Sequence, residues 1–175
     1  MEPFPTVNEY EALPWTSLAE LKHLSIKDSP WNFYLETEVY FETPERAGVV
    51  RPVREAGDTD PPWGPLHVIS ATQPGSEEDP EASATRLAIL DRELRESFTK
   101  PISWIRAVGS SFDGTHHEES RAVFGLDDDA ARALGVRFGQ VAIFSWNGPW
   151  WSLLACASDR VERRPWQWLE YREKR

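Results

Sequence analysis

The chain has 175 residues, 40% of them hydrophobic and nine of them Trp, which fits one domain with its own core and excludes wholesale disorder. Lys and Arg number 19 against 29 Asp and Glu, a formal charge of -10, which opposes attraction to a phosphate backbone and excludes nucleic acid as a general partner. A single cysteine, Cys156, excludes an internal disulfide and a cysteine zinc cluster. There is no apolar run of about 18 residues and no basic leader, so a soluble, cytoplasmic protein without a membrane partner is expected.

Pro3, Pro5 and Pro14 keep the opening irregular until Ser17, which with Glu20 forms a capping box before Leu18, Leu21 and Leu24 and predicts a short helix over 17–25. Residues 33–42, FYLETEVYFE, alternate as a half-buried strand, with GVVRPV as a partner that Pro52 confines to an edge. Loops rich in Pro and Gly follow at 55–65 and 73–80, on either side of LHVISAT, 66–72, an apolar strand compact enough to be central. Asp79 and Pro80 start a helix whose Leu87, Leu90, Leu94 and Phe98 share a stripe.

ISWIRAV, 102–108, and SRAVFGL, 120–126, read as strands joined by a polar connection. Asp127 caps a helix that Gly139 stops. QVAIFSW and WWSLLACA form a last hairpin about Asn147-Gly148. The tail from 158 interleaves six basic residues with Trp166, Trp168 and Tyr171 and reads as a terminal helix that packs its Trp and solvates its charges. The order implies an α+β fold: a two-layer sandwich with a mostly antiparallel sheet of about six strands and two main helices on one face.

Four stretches carry a family resemblance: SATQP at 70–74, ASATRLAILDRELRE at 82–96, EESRAVFGL at 118–126 and RFGQVAIF at 137–144. From about Leu35 to Ala157 the chain resembles a bacterial family known as domain of unknown function 3293. That family's pattern has a strand ending in Thr-Ala-x-Asn-Pro, a helix with a polar start and an Arg, a Glu-x-Ser or Glu-Ser pair, and a late Phe-Gly-Gln-x-Ala. Gln73 stands where the pattern has Asn. The resemblance supports the fold boundaries, with residues 1–34 as an extension and 158–175 as a basic, Trp-rich tail, and supplies no reaction.

FDGTHHEESRAVFGL, 112–126, concentrates the polar chemistry. In a continuous strand His117 and Glu119 would share the face of Arg121, and His116, Glu118 and Ser120 that of Phe124. Either His-Glu pair gives at most two metal ligands, so neither a metal nor another cofactor is expected. No Gly-x-Ser-x-Gly elbow surrounds Ser120. Acid-base work would fall to Glu119 with His117 or His116 if burial raised the carboxyl; otherwise Glu119 and Ser120 hydrogen-bond the loop 113–115.

A ligand cleft is expected where Thr72 and Gln73 end an apolar strand, edged by Gln73, Glu119 and Gln140, with Arg86 and Ser120 nearby and Trp104 or Trp146 as an apolar wall. The loop there has one Gly and three acids, which suits a neutral or cationic ligand over a phosphate. Trp150 and Trp151 flank a hairpin, where one must face outward and could meet a protein partner. The leading expectation is thus a non-catalytic domain that binds a small ligand or a protein. The others are a small enzyme using a Glu/His pair and an acidic module that masks a basic partner.

Overall fold

The computed structural model describes residues 9–75 and 79–171. Among the expectations above, the Pro3 and Pro5 opening, the centre of the 73–80 loop and the charges of Arg172, Glu173, Lys174 and Arg175 lie outside the described residues. The helices are α1 (Leu18–Ser25), α2 (Asp28–Leu35), α3 (Pro80–Glu96) and α4 (Asp128–Arg137). The strands are β1 (Thr37–Glu42), β2 (Ala47–Pro52), β3 (Leu66–Ser70), β4 (Trp104–Ser111), β5 (His117–Val123), β6 (Ala142–Asn147), β7 (Trp150–Ala155), β8 (Val161–Arg164) and β9 (Trp166–Glu170).

The local start signals act as their chemistry requires. Ser17, Asp79 and Asp127 each accept a hydrogen bond from a first-turn amide, at Glu20, Ala82 and Ala130, satisfying a donor the helix cannot. Gly139 ends α4 at φ 70°, and the amide of Gln140 closes back on Gly135 O at 2.8 Å. Gly135 itself lets α4 approach β7, since a Cβ there would stand 2.3 Å from Cys156 Sγ.

The sheet corrects the expected architecture. All nine strands pair antiparallel in the order β8-β7-β6-β3-β5-β4-β1-β2-β9, and the two terminal strands are consecutive in the chain, joined by Pro165 alone. The chain leaves one edge of the sheet and at once begins the other, with Pro165 O accepting from Val53 N at 2.9 Å. The result is a nearly closed barrel with four helices, not a six-stranded sandwich with two. The tail expected as a helix supplies both closing strands. Trp166 of β9 is fully buried, packs edge-on against Trp146 of β6 at 5.0 Å and donates to Gly148 O at 2.8 Å, so this aromatic core ties the β9 edge to the β6–β7 hairpin across the barrel.

Side-chain alternation then sorts the core into an inside and an outside. Val39, Phe41, Val50, Val68, Ala107, Ala122, Trp146 and Trp151 point inward and meet in the barrel. Ile69, Val123, Ile143 and Leu154 point outward and are covered by Ile89, Leu90 and Leu94 of α3 and by Ala131 and Leu134 of α4. His67, also outward and buried, anchors the start of α4 through Nε2 to Asp128 Oδ1 at 2.7 Å.

Residues 28–35, partly expected as strand, form α2 across one end of the barrel. Trp31 is fully buried against Leu153 and Ala155, and its Nε1 donates to Glu162 Oε1 at 3.1 Å. Arg160 stacks its guanidinium 4.3 Å from that indole and donates to Ser25 O and Lys27 O, tying α1 and α2 to the strands.

Candidate functional site

Behind α2 the barrel does not fill. A cavity of about 370 Å³ opens at this end, walled by Phe33 and Tyr34 of α2, Thr37 and Val39 of β1, Val68 and Ser70 of β3, and Phe144 and Leu153 of β6 and β7. Its mouth lies between 72–75, the β4–β5 turn with His116 and His117, and Gln140. Such a volume falls in the range of small-molecule sites, and its wall mixes apolar side chains with about as many polar ones.

The charged group inside is Glu118. Because β5 alternates, Glu118, Ser120 and Ala122 point into the barrel, while Glu119, Arg121 and Val123 point out. Glu118 keeps partial solvent access through the mouth but is otherwise enclosed by protein. That burial raises its carboxyl above the ordinary glutamate value, and the Ser70 hydroxyl beside it offsets part of the rise. Tyr34 is close enough to feel Glu118: burial first, then the Glu118 and Cys156 charges, push its phenol upward, so it stays a hydrogen-bond donor at any physiological pH. Ser120 donates to the Glu118 carbonyl at 3.1 Å, and Thr37 donates to Phe33 O at 3.2 Å, holding α2 over the mouth.

Gln73 and Gln140 both reach the rim. The Gln73 carbonyl accepts from Thr16 N at 2.8 Å and Thr16 Oγ1 at 2.9 Å, and its amide donates to Ala71 O at 2.9 Å and Phe138 O at 3.0 Å. All its bonding capacity is spent inside the protein, so it builds the rim. Gln140 donates to Thr72 O at 2.9 Å and Phe138 O at 3.1 Å, and its side chain borders the cavity.

Other sequence candidates stand elsewhere. Glu119 faces outward and is held by Arg106, and no hydrogen bond joins it to either His among the described residues. His116 and His117 are exposed at the rim, with the His116 ring edge-on to Phe33 at 5.3 Å. Arg86 is buried outside the cavity, 4.5 Å over Trp15. Trp104 is likewise outside, beneath Arg121 at 4.1 Å, and Trp146 sits deeper in the barrel. Trp150 is exposed and Trp151 is buried against Phe144 and Trp146. The loop 113–115 is held by its own Asp113, with no part taken by Glu119 or Ser120. Among the described residues no three His, Cys, Asp or Glu are placed to hold a metal ion, and no helix is long and apolar enough to cross a membrane.

Residues 69–143 match a known family. Its model is described as Protein of unknown function (DUF3293) and covers somewhat less than half of the 175 residues, within the span that the resemblance suggested. No curated protein and no solved structure matches the chain.

The DUF3293 segment holds much of the cavity's polar lining. Of the two spacings, Glu-x-Ser is the one that faces the lumen, through Glu118 and Ser120, and Ser70 opens the SATQP stretch beside them. Phe-Gly-Gln has a physical basis as well: Phe138 is buried against Tyr10 and Trp15, Gly139 takes a positive φ, and Gln140 fastens the end of β3. Glu118 was missed because adjacent glutamates look alike in composition. The shared parity of Glu118, Ser120 and Phe124 was the available signal.

Proposed function

We propose that this protein binds a small molecule in the open end of its barrel, as a non-catalytic ligand-binding domain. The observation that carries this reading is a cavity of about 370 Å³ whose lining retains an enclosed carboxyl, Glu118. Burying a carboxylate without a partner is costly and contributes nothing to packing, so its presence in the lumen favours a role toward something that enters. The test is a metabolite screen by thermal denaturation. A ligand at about a hundred times its Kd stabilises by about 2.7 kcal/mol, a rise of roughly 5–10 °C for a chain of this size. Val68→Trp, which fills the lumen, should abolish the rise. A rise that survives in the filled variant refutes the reading.

The enclosed carboxyl beside Tyr34 and His117 favours a second reading, proton transfer by Glu118, since burial shifts it upward from the ordinary glutamate value. A screened compound should then be converted over time by the native protein and bound without conversion by Glu118→Gln. A protein partner at Trp150 rests on one exposed indole beside Arg163, with Trp151 turned inward.

A further inference from the structure

We infer that the ligand of the lumen is a small organic cation, a protonated amine or its like, with Glu118 as its counter-charge. This rests on the binding reading above and names the ligand class for that same site.

The first ground is how this chain disposes of its other acids. Carboxylates on the outside of the barrel meet arginines: Glu119 and Glu42 share Arg106, Asp91 holds Arg121 at 2.7 Å, Glu38 meets Arg51 at 3.4 Å and Glu170 meets Arg46 at 2.9 Å. Inside the barrel the rule stops. Among the described residues no Lys or Arg side chain lines the cavity, and the protein group that favours the charged Glu118 carboxyl is the Ser70 hydroxyl. A buried carboxylate is held in its charged form only by an opposite charge or several donors. The protein supplies one hydroxyl, which is also within reach of Glu119 O at 3.2 Å, and a ligand ammonium would supply the rest.

The second ground is the wall. Phe33 and Tyr34 of α2 and Phe144 of β6 line the same cavity as the carboxyl. Rings of this kind attract a desolvated cation by their quadrupole, and an anion gains nothing from them. A formal charge of -10 over the whole chain adds a field that concentrates cations at a low-dielectric cleft.

The test uses probes that share a phenylethyl body and differ in the charge of the head group, 2-phenylethylamine, 2-phenylethanol and 3-phenylpropionate, titrated at millimolar concentration into the full-length protein at pH 8. Binding is read from amide chemical shifts of lumen residues. The amine should bind at least about tenfold more tightly than the alcohol, and the carboxylate should not bind. Glu118→Gln should erase the difference between amine and alcohol. Phe33→Leu, at the exposed mouth where folding is not at stake, should weaken the amine by about two- to fivefold and leave the alcohol unchanged. If the alcohol binds as well as the amine, or if Glu118→Gln leaves the amine's affinity intact, the cation inference is overturned while occupancy of the lumen stands. If none of the three shifts a lumen resonance, both the inference and the reading beneath it fall.

Discussion

Replacing Gln73 with Leu tests whether this residue builds the rim or serves a ligand. The substitution keeps the volume and removes four hydrogen bonds of 2.8–3.0 Å. Their losses are unequal. Phe138 O keeps the Gln140 amide at 3.1 Å, and Thr16, only partly buried, can turn to water. Ala71 O, on a residue 1% exposed, has no such recourse. Taking about 1 kcal/mol for the Thr16 contacts together and about 2 kcal/mol for the stranded carbonyl gives a loss of about 3 kcal/mol. For a chain of this length that lowers Tm by roughly 6–12 °C. Urea denaturation gives the loss directly, and hydrogen exchange at the Thr16 amide reports the broken tie. A loss under about 1 kcal/mol, with Thr16 still protected, would refute the assignment of Gln73 as a structural clamp.

Three further outcomes follow from neighbouring geometry. Gly139→Ala should cost more than the about 1–2 kcal/mol of a left-handed residue, because the new Cβ would lie 2.2 Å from Gln73 Oε1; in a Gln73→Ala background only the conformational cost should remain, which a double-mutant cycle measures. Glu118 binds its proton more tightly folded than unfolded, so its contribution to stability is present below the ordinary value of 4.5 and is lost as pH rises through the raised folded value. Glu118→Gln should therefore match the native protein in acid and become the more stable of the two as pH rises, as denaturation curves at a series of pH values will show. Arg106→Ala breaks pairs with Glu119 and Glu42 that are nearly half exposed, and should cost under about 1 kcal/mol, falling further with salt, with no effect on binding in the lumen.

Much of the fold was legible wherever one residue commits the backbone by itself. Ser17, Asp79 and Asp127 start helices, and Asn147-Gly148 turns a hairpin, because their side chains or missing side chains satisfy nearby peptide groups without help from the rest of the chain. The barrel was hidden by composition. Residues 161–170 carry enough Arg and Glu to resemble a solvated helix, yet Pro165 interrupts any helix there, and Trp166 and Trp168 are two apart, the spacing of a strand. Closure itself is a tertiary fact, since nothing local says that β8 and β9 pair at opposite ends of one sheet. The cavity edge was read in part: Gln73 and Gln140 do come together, and Glu119 does not join them.

The polar run at 112–119 has its physical account in register. One residue of slip in β5 would carry Glu119 into the lumen and Glu118 out, so the β4–β5 turn decides which acid lines the cavity. That turn is fixed by Asp113, whose carboxylate accepts from Ser111 Oγ at 2.7 Å, Thr115 N at 3.0 Å and Thr115 Oγ1 at 2.7 Å, with Gly114 at φ 75°. Those bonds, the Ser111 hydroxyl first, hold the Asp113 carboxyl down to about 2, so the clamp stays ionised across the physiological range. Ser111 in turn accepts from His116 N at 3.1 Å, setting Ser110 opposite His117 and hence Gly109 opposite Glu118. The glycine opposite the acid also borders the cavity, where a Cβ would stand 3.6 Å from Thr37 Cγ2. The exposed acid of the loop thus selects, at a distance of five residues, the strand parity that turns Glu118 inward.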